Sequence, residues 1–288
     1  MAPRGRQIVK ESPATAVRRK KKLRKFIVVS ALVVLSIAGL SLASRVDKLA
    51  ISKVVLEGAT IVEEKDVKAI VDETIAGSYA WLFSKRNVLI YPRKKVMREL
   101  LDQEKRIETL FLTIENNSEL HVRVTERGGK YLWCGEDPEA VTTYSNCFFL
   151  DDTGYIFDEA PYFSDNVYFK FYGKRKEADA PIIGSHLVEA NNFDQLVKFA
   201  NTVRTFGVTP RGIVLSTEED NELLLEKRGH TKAPRILFEK DADLIKIANT
   251  LGSALAGEPL KTSIKDNYEK LQYLDVRFAN KVFYKFEE

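Results

Sequence analysis

The hydrophobic pattern of this chain changes period several times, and each change marks an element. From Phe26 to Ser44, "FIVVSALVVLSIAGLSLAS", nineteen residues pass without a charge. At ~1.5 Å rise per residue a helix of that length crosses a hydrocarbon core of ~30 Å. A transmembrane helix is therefore expected over 26–44. Beyond it, "AISKVVLEG" is a short β-branched run closed by Gly58 and reads as a strand. In "VEEKDVKAIVDETIAG", Val67, Ile70, Val71 and Ile75 recur at helical spacing, acids crowd the first turn and Gly77 stops it. Pro92 suits the first position of a second helix reaching about Gln103, with Val96, Leu100 and Leu101 directed inward. Then the period falls to two. Leu110, Leu112 and Ile114 alternate with Phe111 and Thr113, and after Asn116-Asn117-Ser118 the residues Leu120, Val122 and Val124 alternate with His121, Arg123 and Thr125. That is a hairpin with one buried face.

From about Lys130 the chain is mostly strand. "KYLWC", "CFFLDDTGYIF", "VYFKFYG" and "RILFEK" read as strands, with turn chemistry at Asp152-Thr153-Gly154. "RGIVLSTEEDNELLLEK" reads as a hairpin around a charged, solvated turn at Glu218-Glu219-Asp220. Two helices interrupt the strands. In "NNFDQLVKFANTVRTFG", Asn191 or Asn192 is the expected cap, Leu196, Phe199 and Val203 face inward, and Gly207 follows the end. In "DADLIKIANTLGSAL" the expected cap is Asp241 or Asp243. The closing "YLDVRFANKVFYKF" alternates twice and reads as two strands joined by a tight turn around Ala279-Asn280. The expected fold class is α+β: a transmembrane helix, a β-α-α-β-β unit, then a mainly antiparallel β domain with two helices.

Charge is placed unevenly. Residues 1–25 hold ten Lys or Arg and one acid, Glu11, giving +9 in a chain of net charge +4, so the remainder is acidic at −5. A basic tail suits nucleic acid in principle, but directly before an apolar helix it is better read as the cytoplasmic flank of an anchor. A cleaved signal peptide is the rival, since Ser41-Leu42-Ala43 has small residues at a cleavage-site spacing. The basic region is long, however, and the apolar run exceeds the 7–15 residues usual for a signal peptide. A single-pass anchor follows, with the N-terminus cytoplasmic and the bulk of the chain outside. Cys134 and Cys147 both fall in that outer part and flank the loop-like "GEDPEAVTTYSN". An oxidising compartment permits a bridge there.

Catalytic patterns are weak. Asp152-Thr153-Gly154 matches an aspartic-protease triplet, but that chemistry joins two such aspartates and there is no second copy. The three histidines, His121, His186 and His230, are not spaced as metal ligands and read as surface or edge residues. No phosphate loop, dinucleotide fingerprint or nucleophile elbow occurs. No catalytic residue, cofactor, metal, nucleic acid or small-molecule substrate is expected.

Residues 49–127 resemble a POTRA domain, and the whole series resembles the FtsQ/DivIB family of bacterial cell-division proteins. That series is a basic tail at 1–25, an anchor at 26–44, the POTRA-like domain at 49–127 and a β domain at 128–288. Four stretches carry the resemblance: "ISKVVLEGATIVEEKDVKAIV", "LHVRVTER" with Glu126-Arg127, "CFFLDDTGYIF", and "LQYLDVRFANKVFYKF" with Leu274 to Phe278 at its heart. Where the family often has Pro after Glu-Arg, this chain has Gly128-Gly129. The resemblance implies a non-catalytic divisome scaffold of the cell membrane, concentrated at the septum. It implies binding of small bitopic partners of the FtsB and FtsL kind by strand addition at the C-terminal edge.

The residues at that end suit such a role. In the last strand Val282, Tyr284 and Phe286 share one face, and Lys281, Phe283 and Lys285 the other. An uncovered edge with side-chain anchors is what strand addition needs. The expected partner-binding residues are Asn280, Lys281, Val282, Phe283, Tyr284, Lys285 and Phe286. A POTRA-bearing export or assembly component is the alternative, although the two helices and many charges after residue 127 argue against a C-terminal β-barrel.

Overall fold

A computed structural model describes residues 13–139, 147–163, 167–216, 220–228, 232–278 and 281–287. The chain divides into two compact units. The first comprises residues up to Glu104 together with Thr109–Thr125, and the second comprises Lys105–Glu108 and Glu126–Glu288.

The first unit opens with α1 (Pro13–Ala43). Within it Lys21–Ala43 is the one helix among the described residues long and apolar enough to cross a membrane, with a mean hydropathy of 2.6 over its most apolar 18 residues, none of them buried. A short 3-10 turn, Asp47–Leu49, leads into β1 (Lys53–Glu57) and α2 (Glu64–Thr74). A small hairpin of β2 (Ser78–Tyr79) and β3 (Phe83–Ser84) comes before α3 (Arg93–Gln103), β4 (Ile107–Glu115) and β5 (Glu119–Glu126). The sheet order is β1-β5-β4, with β1 parallel to β5. Val67, Ile70, Val71 and Ile75 of the α2 segment are buried, as are Leu110, Leu112, Leu120, Val122 and Val124 of the sheet. The helix and strand periods thus meet in one apolar layer. Leu101 is a correction. It is exposed, while Val96 and Leu100 are buried. Five positions beyond Val96, at ~3.6 residues per turn, Leu101 has rotated off the inward stripe.

The second unit is built on one nine-stranded sheet. Its strands are β6 (Tyr131–Trp133), β7 (Cys147–Leu150), β8 (Ile156–Ala160), β9 (Phe169–Gly173), β10 (Pro210–Leu215), β11 (Asn221–Leu225), β12 (Arg235–Phe238), β13 (Leu271–Asp275) and β14 (Phe283–Phe286). Their order is β14-β13-β12-β11-β10-β9-β6-β7-β8. The expected hairpins β7–β8, β10–β11 and β13–β14 are antiparallel. The sheet is nonetheless mixed, because β6–β9, β9–β10 and β12–β13 pair in parallel. Two of those joins follow from helical crossovers, which return the chain to the same end of the sheet. One is α4 (Ala190–Arg204), between β9 and β10. The other combines α5 (Leu244–Ala256) with α6 (Leu260–Asn267), between β12 and β13. Among its described residues the unit therefore carries three α-helices where two were expected.

Local capping differs between the two longer helices. Asp243 caps α5, its carboxylate accepting from the amides of Ile245 at 3.0 Å and Lys246 at 3.1 Å. α4 begins after Glu189 with no side-chain cap, so neither Asn191 nor Asn192 takes that role. Phe193, Phe199 and Val203 of α4 and Leu251 of α5 bury against Phe171, Ile213, Leu223, Ile236, Phe238 and Leu274 of the sheet in one apolar core.

The turn at Asp152-Thr153-Gly154 forms around Asp151. That carboxylate accepts from the Thr153 amide at 2.8 Å, the Thr153 hydroxyl at 2.7 Å and the Tyr155 amide at 3.1 Å. Gly154 has φ 78°, and a Cβ there would stand 2.7 Å from the Phe193 ring, so glycine is required twice over. Arg127 also donates to Asp151, at 2.7 Å, and lies over the Tyr155 ring.

Candidate partner-binding edge

The chain ends at one margin of the nine-stranded sheet. β14 pairs with β13 in the register Asp275↔Phe283, Leu274↔Tyr284, Tyr273↔Lys285 and Leu271↔Phe286. Among the described residues no strand lies on its other side. The opposite margin differs. There β8 is partly covered, because the Ile156 amide donates to Ser185 and the Gly184 amide to the Ile156 carbonyl, at 2.9 and 2.8 Å.

The register decides what each face of β14 does. Leu274 is fully buried, so Tyr284 opposite it lies on the core side. Val282 and Phe286 pack partly against the same core. Phe283 faces the other way, and its ring meets Phe278 edge-on at 5.2 Å. Phe278 is 53% exposed, Phe283 50% and Tyr284 39%. Three aromatic rings thus border an open strand. Beside them, the helix-free face of β11–β13 carries a shallow groove of about 790 Å³, lined by Arg235, Leu237, Tyr273 and Glu287 among others.

One sequence expectation is corrected here. The strands are shorter than expected, ending at Asp275 and resuming at Phe283, so Lys281 and Val282 belong to the connection and not to β14. Within that connection the Lys281 amide donates to the Phe278 carbonyl, three residues back, at 3.0 Å, which is the bond of the expected tight turn. Asn280, with Ala279, lies outside the described residues. Just past β13, Arg277 bonds two carboxylates. Its Nε and Nη2 donate to Asp275 at 2.9 and 2.5 Å, and its Nη1 donates to Asp220 at 2.7 Å. These bonds hold the Asp275 carboxyl below its ordinary range and raise the guanidinium still higher.

Asp220 is therefore engaged rather than merely solvated, and Phe278 is an exposed ring that periodicity did not single out. The partners in the Arg277–Asp220 pair are 57 residues apart, too far for any local signal. Glu218, Glu219 and His230 lie outside the described residues.

Cys134 and Cys147 are joined by a disulfide, with Cα atoms 4.3 Å apart. The bridge ties the end of β6 to the start of β7, and Cys134 is buried with Leu132, Ala160 and Tyr172 in a second, smaller apolar cluster.

Of the histidines, His186 lies against Tyr155, with ring centroids 5.0 Å apart and planes tilted by 56°. His121 is a further correction, because its side chain is only 12% exposed. Its Nδ1 lies 2.6 Å from Glu57, and its Nε2 is 3.6 Å from both Glu115 and Glu119. The bond with Glu57 pushes its pKa above the ordinary histidine value against the pull of desolvation. Among the described residues no group of three or more His, Cys, Asp or Glu is arranged to hold a metal ion.

Comparison with family models and with curated proteins finds no match to this chain.

Proposed function

We propose that this chain is a membrane-anchored, non-catalytic scaffold of the FtsQ/DivIB type, in which a POTRA-like unit and a β domain stand outside the cell membrane. A small bitopic partner adds a strand along β14. The observation that carries the reading is the margin of the nine-stranded sheet, where β14 has a strand neighbour on one side only and Phe278, Phe283 and Tyr284 are exposed beside it. Proteins usually blunt such an edge. Here Lys281 and Lys285 are the charges available to do so, and proline is absent from 281–287. In strand addition the main-chain bonds supply affinity and the alternating side chains supply specificity. The apolar helix Lys21–Ala43, behind its basic flank, suits the anchor, and the positive-inside rule then puts the N-terminus in the cytoplasm.

The test is capture. The double variant Phe283→Asp with Tyr284→Asp is expected to lose co-purification with FtsB- and FtsL-like partners while keeping a cooperative melt. Undiminished capture by the folded variant would overturn the reading. A fluorescent fusion spread evenly along the membrane, rather than gathered at mid-cell, would overturn its placement in division.

A further inference from the structure

The segment "SYAWLFS" (Ser78 to Ser84) bends back on itself at the foot of α1. The Leu82 amide donates to the Tyr79 carbonyl at 3.0 Å and closes a turn whose central residues, Ala80 and Trp81, have φ 46° and 61°. Positive φ at both positions is the pattern of a type I′ turn, which normally calls on Asn and Gly. A bulky residue held there is an outlier and costs of order 1 kcal/mol or more. The strain does not serve packing, since Trp81 is 90% exposed. Tyr79 and Leu82 of the hairpin are exposed as well, as are Leu89 and Ile90 in the loop that follows.

The hairpin is fastened to the last turn of the apolar helix. Ser41 Oγ donates to the Leu82 carbonyl at 2.6 Å, and Arg45 Nη2 donates to the Trp81 carbonyl at 2.9 Å. The Ser84 amide donates to Ser44 Oγ at 3.2 Å, and the buried Asn87 amide group donates to the Ser44 carbonyl at 3.1 Å. The following loop is tied to the 3-10 turn by the Val88 amide on the Leu49 carbonyl at 2.8 Å. Ser41 and Ser44 are thus buried against the hairpin, while Leu40 and Leu42 stay exposed on α1.

We infer that this hairpin is a membrane-interface foot, with Trp81 and its apolar neighbours seated in the headgroup layer of the bilayer that α1 crosses. The inference rests on reading α1 as an uncleaved anchor. At ~1.5 Å per residue, Lys21–Ala43 matches a hydrocarbon core of ~30 Å, so its last turn lies at the outer interface. Whatever is bonded to Ser41, Ser44 and Arg45 lies at that level too. Trp and Tyr favour this layer because an apolar ring and a polar edge are both satisfied there. Cations suit its anionic headgroups, and Arg45, Lys48 and Lys85 stand in these same segments, Lys85 over the Tyr79 ring at 5.8 Å. The foot would fix the height of the first unit above the membrane.

The experiment uses the full chain in phosphatidylethanolamine and phosphatidylglycerol vesicles whose acyl chains carry bromine near the headgroup or near the methyl end. The chain has two tryptophans, and the other, Trp133, is buried with its Nε1 donating to the Gly173 carbonyl. The difference between wild type and Trp81→Phe isolates the Trp81 signal. Leu35→Trp in the Trp81→Phe background reports the span. Loss of most Trp81 emission to shallow bromine, with the Leu35→Trp signal lost to deep bromine, is the expected result. A quenched Leu35→Trp beside an unquenched Trp81 would overturn the foot and leave the anchor standing. So would a Trp81 shielded from aqueous quencher but untouched by bromine, which would mean that a protein covers the patch. An unquenched Leu35→Trp would remove the anchor reading, and the foot with it.

Discussion

Arg277 closes around Asp275 with two nitrogens, at 2.9 and 2.5 Å, and uses a third to reach Asp220 at 2.7 Å. Asp275 is buried and Arg277 is about one-third exposed. Arg277→Ala would leave a buried carboxylate with its main partner gone, at a cost of about 2 kcal/mol once solvent access is allowed for. Arg277→Lys keeps the charge but loses the fork, so it should fall between. Urea melts measure both. The Asp275 pKa is depressed in the folded state, so its contribution is present above the unfolded value of about 3.9 and is lost as pH falls through the folded one.

Leu274 and Tyr284 face each other across the last pair of strands but should separate stability from binding. Leu274 is fully buried, and Leu274→Ala is expected to cost about 2–5 kcal/mol through the cavity it leaves. Tyr284 is half-exposed at the edge, and Tyr284→Ala should cost less than about 1 kcal/mol. If the edge receives a partner strand, Tyr284→Ala nonetheless weakens capture. A thermal melt beside a titration with the partner distinguishes the two effects.

His121 should make the first unit sensitive to pH. Glu57 from β1, Glu115 from β4, and Glu119 and Arg123 from β5 surround it, with Lys53 of β1 on Glu119. Its folded pKa is raised, so the stabilisation is complete below the unfolded value of about 6.5 and fades as pH rises through the folded one. Amide protection in β1 and β5, corrected for the base catalysis of exchange itself, should therefore fall as pH rises through that folded value. His121→Gln should remove that step.

The Cys134–Cys147 bridge closes a short loop, with a sequence separation of 13. Reduction should lower stability by about 2–3 kcal/mol, since the open chain regains the entropy that closure removed. Thiol labelling should add mass only after reductant, and the melt of the reduced chain should move down in temperature.

Much of the first unit was legible in its periodicity. Val67, Ile70, Val71 and Ile75 repeat at helical spacing, and Leu120, Val122 and Val124 alternate, and all seven are buried. The Asp152-Thr153-Gly154 turn was readable from its residue types, because the Asx bonds and the left-handed glycine are local chemistry. Leu101 misled because apolar character alone does not say where a helix stripe stops. The helix α6 was missed, having only one buried apolar residue, Leu260.

What the sequence determined by itself was the set of local choices: which segments are strand or helix, where they turn, and which helix is apolar enough for a membrane. Each depends on residues within one or two turns of one another. Tertiary structure decided which strands are neighbours. β9 could join β10, and β13 could join β12 and leave β14 at an open margin, only once α4, and α5 with α6, had carried the chain across the core. The Arg277 clamp and the Trp81 hairpin on the end of α1 belong to the same class. Their partners lie 57 and about forty residues away, and hydrogen bonds over such distances leave no periodic trace in the chain.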